Sequence, residues 1–250
     1  MASQSTSAPE GVRYSTPNMQ GKPEARNFTW EYPVPENAFW NDLKFVVGRN
    51  FLSSFSPEQI SQLPIDANST QSKSEKLEVL LRLLQEKIAA EDAKASPQTF
   101  YDVDFEAWET AWLGVHTMQY NLGRIPEAEQ TLRMLIDRRK NKTNLSHFHS
   151  LSVMLFEQGR YAEAERMERP VLDWLVGRLG DTSPQALGSR RIIARSIWKQ
   201  GPERRAEAEV LFEEVKRLVE ESGSGKYAVY KDEQMEVTET MIGDLRAGRI

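Results

Sequence analysis

The phrase NLGRIPEAEQ at 121–130 recurs as EQGRYAEAER at 157–166, and the core AEAE of 162–165 returns at 206–209. No other feature limits the fold of this chain as much. One helix pair cannot bury its apolar face alone, whereas stacked pairs share a continuous core. In each copy a glycine (Gly123, Gly159, Gly201) stands a few residues before a Glu-Ala-Glu triplet. Glycine supplies the left-handed residue that closes a helix. The small alanine lets the next helix approach the last one closely. The repetition therefore encodes a joint between helices, with no chemistry in it.

The rest of the chain reads as helix too. Residues 1–27 are rich in Ser, Pro, Gln and Thr, and are expected to be flexible or extended. An aromatic block follows, NFTWEYPVP at 27–35, extended by its prolines. It is read as packing over the first helices or as an intramolecular ligand of the groove. From Glu36, the spacing of Phe39, Leu43, Val46, Val47 and Phe51 predicts a helix. Ser56 and Pro57 look like an N-cap and first-turn proline of a short helix to about Leu63. Leu77, Leu80, Leu81, Leu84 and Ile88 stripe a helix over 74–94, which Ser96-Pro97 ends. Asp102 or Asp104 starts the next, with Phe105, Trp108, Trp112 and Val115 on one side. A loop VEESGSGKYA and a last helix over 227–246, with Val229, Met235, Val237, Met241, Ile242 and Leu245, complete the chain. Period-two alternation is not sustained anywhere, so essentially no sheet is expected.

Composition removes several classes of function. With no cysteine, disulfides, thiolate nucleophiles and cysteine-ligated zinc are excluded. A net charge of −5 argues against a nucleic-acid coat or a binder of anionic membranes. No apolar run approaches the ~20 residues of a membrane span, and none opens the chain as a secretory signal would. A cytoplasmic, soluble protein is expected. His147 and His149 sit two apart and so face different sides of a helix, which disfavours a metal site. Gly225-Lys226 lacks the remaining residues of a phosphate-binding loop. No cofactor is expected.

Three stretches then resemble a family. WLGVHTMQYNLGRIPEAEQTLRMLI, FHSLSVMLFEQGRYAEAERMERPVL and RRIIARSIWKQGPERRAEAEVLFEEV each look like a tetratricopeptide repeat. Trp112, Gly123 and Ala128 match in the first, Phe148, Leu151, Gly159, Tyr161 and Ala164 in the second, and Ile193, Gly201, Ala208 and Phe212 in the third. The turn glycines stand 36 and then 42 residues apart. The lead-in RLGDTSPQALGSRRIIARSIWKQG is similar to the longer repeats of kinesin light chain and its fungal relatives. There are three departures: two extra residues before Ala208, Glu168 at a usually apolar place, and Pro170, which should kink or break its helix. The resemblance implies an all-α fold, a right-handed superhelix of antiparallel helix pairs. It divides the chain into an N-terminal segment (1–27), an N-terminal helical region (28–100), about three repeats (101–222) and a C-terminal capping helix (223–250).

In such arrays the first helix of each pair lines the inner face. By register the lining is Thr110, Leu113, Thr117, Tyr120 and Asn121, then Ser146, His149, Val153, Phe156 and Glu157, then Gly188, Arg191, Arg195, Trp198 and Lys199. The candidate binding groove is Tyr120, Asn121, His149, Val153, Phe156, Arg191, Arg195, Trp198 and Lys199. Arg191, Arg195 and Lys199 stand four apart on one helical face. That face suits an acidic or C-terminal carboxylate ligand, or else is a solvated face paired with glutamates of a neighbour. Leu113 and Thr117 stand where the chaperone-tail clamp of the family needs Lys and Asn. The expected function is a non-catalytic scaffold gripping a protein or peptide. The alternative is an enzyme or small-molecule sensor with Tyr120, His149, Arg191 and Arg195 converging on a pocket.

Overall fold

The structure, a computed structural model, describes residues 12–13 and 34–250. The segment 1–27, apart from its residues 12–13, and the aromatic block up to Pro33 lie outside the described residues. The described chain forms two compact units, divided between Lys140 and Asn141.

The first unit contains a two-residue antiparallel ladder of β1 (Val12–Arg13) and β2 (Val34–Pro35). Seven helices follow: α1 (Ala38–Asn41), α2 (Phe45–Leu52), α3 (Pro57–Gln62), α4 (Lys73–Ala95), α5 (Phe100–Val103), α6 (Phe105–Asn121) and α7 (Ile125–Arg138). The helix expected from Glu36 is in fact two. Asn37 caps α1, accepting from the Phe39 and Trp40 N–H groups, and the chain turns before α2. The turn is held by Lys76 of α4, only 1% exposed, whose Nζ donates to Ala38 O at 2.6 Å and to Asp42 at 2.8 Å. A buried ammonium needs such acceptors. Short-range caps set the other starts. Ser56 and Ser72 each form a reciprocal box with Gln59 and Glu75, and Asp104 caps α6. Thr99 caps the four-residue α5, which the apolar spacing does not reveal.

The second unit is α8 (Ser146–Glu157), α9 (Tyr161–Leu179), α10 (Pro184–Lys199), α11 (Arg205–Ser222) and α12 (Lys231–Arg246). Each packs on the next, and α10 also touches α8 and α12 directly. The core between α10, α11 and α12 is Ile193, Ala194, Ile197, Ala208, Phe212, Ile242 and Leu245. Ala128, Ala164 and Ala208 are fully buried, as close helix approach requires. Gly123 and Gly159 have φ of 75° and 76° and end α6 and α8 in the same way. At the second, the Gly159 N–H returns to Phe156 O and the Arg160 N–H to Leu155 O, both at 2.9 Å.

Gly201 departs from this. Its φ of 140° is still positive, but a ψ of 170° takes it far from the left-handed helical region, and a single 3₁₀ turn, Pro202–Arg204, precedes α11. That turn absorbs the two extra residues of the third repeat. Pro170 does not break its helix: α9 runs unbroken from Tyr161 to Leu179. Pro170 is exposed, so the carbonyl it leaves without an N–H partner can turn to water. α11 continues through Ser222 and α12 starts at Lys231, which shortens the expected loop and last helix. Val237 is 46% exposed, and the inward place beside it belongs to the fully buried Thr238.

Candidate functional site

In the first unit, Tyr120 is half-buried, its ring centroid 6.2 Å from that of His116. Asn121 Nδ2 donates to Thr117 O at 2.8 Å. Thr117 is itself buried, because α2 lies along α6 there and Asn50 Nδ2 donates to its hydroxyl at 2.9 Å. Gly114 permits the approach: a Cβ on it would stand 3.2 Å from Asn50 O. His116 is a core histidine, its Nδ1 3.1 Å from Ala128 O.

In the second unit, the repeat register sets His149, Val153 and Phe156 along α8, and Arg191, Arg195 and Lys199 along the neighbouring α10. Glu168 of α9 lies beneath, fully buried. His149 Nδ1 donates to its carboxylate at 2.8 Å and the Ser152 hydroxyl donates to its other oxygen. The polar residue at an apolar place is thus answered by two polar residues of α8. With Nδ1 engaged, Nε2 is the imidazole nitrogen left to a ligand, on a side chain 42% exposed.

The three cations of α10 have different fates. Arg191 is fastened to α12, donating to Gln234 Oε1 at 2.9 Å and Thr238 Oγ1 at 3.2 Å. Burial and then the charge of Arg195 pull its pKa down to about 10. Arg195 lies over the Phe156 ring, 4.1 Å from the centroid, with its Nε buried and lacking a hydrogen-bond partner. Burial lowers its pKa, and the charges of Glu157 and Glu168 act to raise it. Lys199 stands 5.6 Å over the Tyr161 ring. Trp198 turns to the core instead: its ring packs on Phe212 at 5.7 Å, beneath Arg205. Val153 is half-buried on α8.

The sequence marks Tyr161 only as a repeat residue, yet it extends the site. Its ring lies 5.1 Å from that of Phe156. Nothing in residue order pairs an aromatic at the start of α9 with a lysine at the end of α10; only the fold brings Tyr161 under Lys199. Recesses of about 310, 430 and 320 Å³ occur on the two units, and none includes His149 or Arg195. The third of them is lined by Gly159, Tyr161 and Lys199 among others. Among the described residues no cluster of three or more His, Asp or Glu could hold a metal ion, and no helix is long and apolar enough to cross a membrane.

The tetratricopeptide-repeat family profile matches residues 144–173, which span α8 and the first two-thirds of α9. No curated protein matches the chain. Two solved structures from Podosopora anserina, described as putative kinesin light chain nearly identical TPR-like repeats, are similar in fold. One has a TM-score of 0.50 at 17% identity over 70% of this chain and 87% of that one. The other has 0.49 at 17%, over 70% and 88%. Residues 144–173 therefore match a tetratricopeptide repeat, and the helix pairs of the chain share the fold of TPR-like repeats.

Proposed function

We propose that the chain is a non-catalytic interaction scaffold, and that α8 and α10 of its second unit grip an acidic segment or C-terminal carboxylate of a partner protein. The observation that carries this reading is the state of Arg195. Arg160, Arg169, Arg190, Arg204 and Arg246 of the same unit each hold a carboxylate. Arg195 is half-buried, stacked on Phe156, and makes no hydrogen bond among the described residues. A partly desolvated guanidinium whose donors lack a protein acceptor is well suited to the forked pairing that carboxylates offer. Repeat folds of this kind serve as binding surfaces, which supports the coarser statement independently of the site.

The alternative of an enzyme or small-molecule sensor needs a walled pocket around His149 and Arg195. Arg195 and Lys199 are instead set along α10 over the rings of Phe156 and Tyr161, which suits a ligand laid along the helix face. Affinity capture from a native lysate tests the proposal, with wild type compared to Arg195→Ala. Proteins with acidic segments should be retained by the wild type and lost by the variant. Identical partner lists would remove the site.

A further inference from the structure

We infer that the first unit carries a binding site for quaternary ammonium groups, which in this structure is filled by the chain's own Lys140. The site lies apart from the α8–α10 face and does not depend on the proposed function. It is built where α5 meets α6 and where α7 ends. Tyr101 of α5 and Phe105 and Trp108 of α6 form a three-ring corner. Tyr101 stands edge-on to the other two, with centroids 5.5 and 5.0 Å away, and Phe105 stacks on Trp108 at 5.9 Å. Trp108 is the floor, 4% exposed, while Tyr101 and Phe105 are half-buried and reach solvent. The Tyr101 hydroxyl donates to Arg138 O at 2.9 Å, which ties the corner to the end of α7. Lys140, exposed and two residues past α7, folds back over it. Its Nζ lies 4.8 Å from the Tyr101 centroid and 5.1 Å from that of Phe105, so one ammonium meets two rings within cation–π range.

These surroundings suit a methylated ammonium better than the lysine that occupies them. A primary ammonium carries three N–H donors and is strongly hydrated. Lys140 Nζ donates to one acceptor, Tyr101 O at 3.2 Å, and makes no ion pair among the described residues. A quaternary ammonium keeps the charge that the rings attract and has no N–H left to satisfy. Charge does not oppose the exchange. Arg138 lies over Tyr101 and Trp108, at 5.8 and 6.0 Å, and would repel an added cation. The ligand replaces Lys140 instead of joining it, so the number of cations beside Arg138 is unchanged. Asp102 sets an opposite charge near both. Its carboxyl is held below the usual range by the Thr99 hydroxyl first and the Thr99 backbone next, and the charges of Lys140 and Arg138 add to this. Departure of Lys140 leaves the corner standing, because the Tyr101 bond to Arg138 O and the stack of Phe105 on Trp108 do not involve it. The ligand class is an alkylated ammonium on a flexible stem, a chemistry shared by methylated lysine in a protein and by a choline headgroup.

Fluorescence anisotropy with the full chain and its Lys140→Ala variant tests this. The probes are three labelled peptides of one otherwise uncharged sequence. At a single position they carry trimethyllysine, unmodified lysine, or the neutral isostere with carbon in place of the quaternary nitrogen. The trimethyllysine peptide should bind about tenfold more tightly than the isostere, the effect of a partly desolvated cation–π contact. Lys140→Ala should tighten that binding about three- to tenfold, because the resident cation no longer competes. Phe105→Leu should weaken it about tenfold, and Tyr101→Phe, which keeps the ring, should preserve it. Circular dichroism checks that each variant is folded. Sedimentation with phosphatidylcholine vesicles separates the two sources: capture of the vesicles assigns the site to a lipid headgroup, and capture of the peptide alone assigns it to a methylated protein. Equal binding of the trimethyllysine peptide and either of the other two would overturn the inference. So would binding that is unchanged or weakened by Lys140→Ala, or no binding of any probe to that variant.

Discussion

Glu168 is the residue at which this chain departs most from its own repeat pattern, and its surroundings explain the departure. It is fully buried and accepts from His149 and Ser152. Removing it strips His149 Nδ1 of its acceptor, opens a cavity under α8 and leaves the Ser152 hydroxyl only the His149 carbonyl. Glu168→Ala should therefore cost about 2 to 3 kcal/mol, read by urea unfolding; a loss below about 0.5 kcal/mol would show that the network is idle. Glu165, one turn earlier, is a second case. Burial alone would raise its pKa, but hydrogen bonds from Arg204, Gln200 and Arg169, with the charge of Arg169, outweigh burial and hold it at about 2. The unfolded chain then binds more protons than the folded one between the unperturbed value of 4.5 and about 2. The stabilisation is complete above that window and fades as pH falls through it. Accordingly, the gap in Tm between wild type and Glu165→Gln should narrow as pH is lowered from about 6 to about 3, and a constant gap would contradict the linkage.

At the scale of elements, two glycines give predictions of opposite sign. Gly159 has φ of 76°, so Gly159→Ala should destabilise by about 1 to 2 kcal/mol. Gly177 lies exposed inside α9, with open space where a Cβ would stand, so Gly177→Ala should stabilise by about 0.5 to 1 kcal/mol. Chemical denaturation of the two variants reads both. Helix existence and type are legible in the sequence because apolar spacing and the glycine–alanine joints act locally, over one or two turns. The boundaries that residue order misses depend on distant partners. Lys76 shapes the turn between α1 and α2 from 34 residues away. Pro170 stays within α9 because its side of the helix faces solvent, which residue order alone does not say.

For the whole molecule, the repeat register assigns the inner face to the first helix of each pair, and so α8 and α10 can be named from sequence. What each side chain does there is not legible, because it depends on contacts between helices. Arg191 is committed to α12, Trp198 to the core beside Phe212, and Thr117 is covered by α2. The arginine left open, Arg195, and the ring that joins it, Tyr161, emerge only once α8, α9 and α10 are set side by side. The most direct test of the account is an amide chemical-shift titration of the labelled full chain with a glutamate-rich peptide that ends in a free carboxylate. The predicted result is a set of perturbations centred on His149, Val153, Phe156, Tyr161, Arg195 and Lys199. Saturating binding whose perturbations leave α8 and α10 unmoved would contradict it.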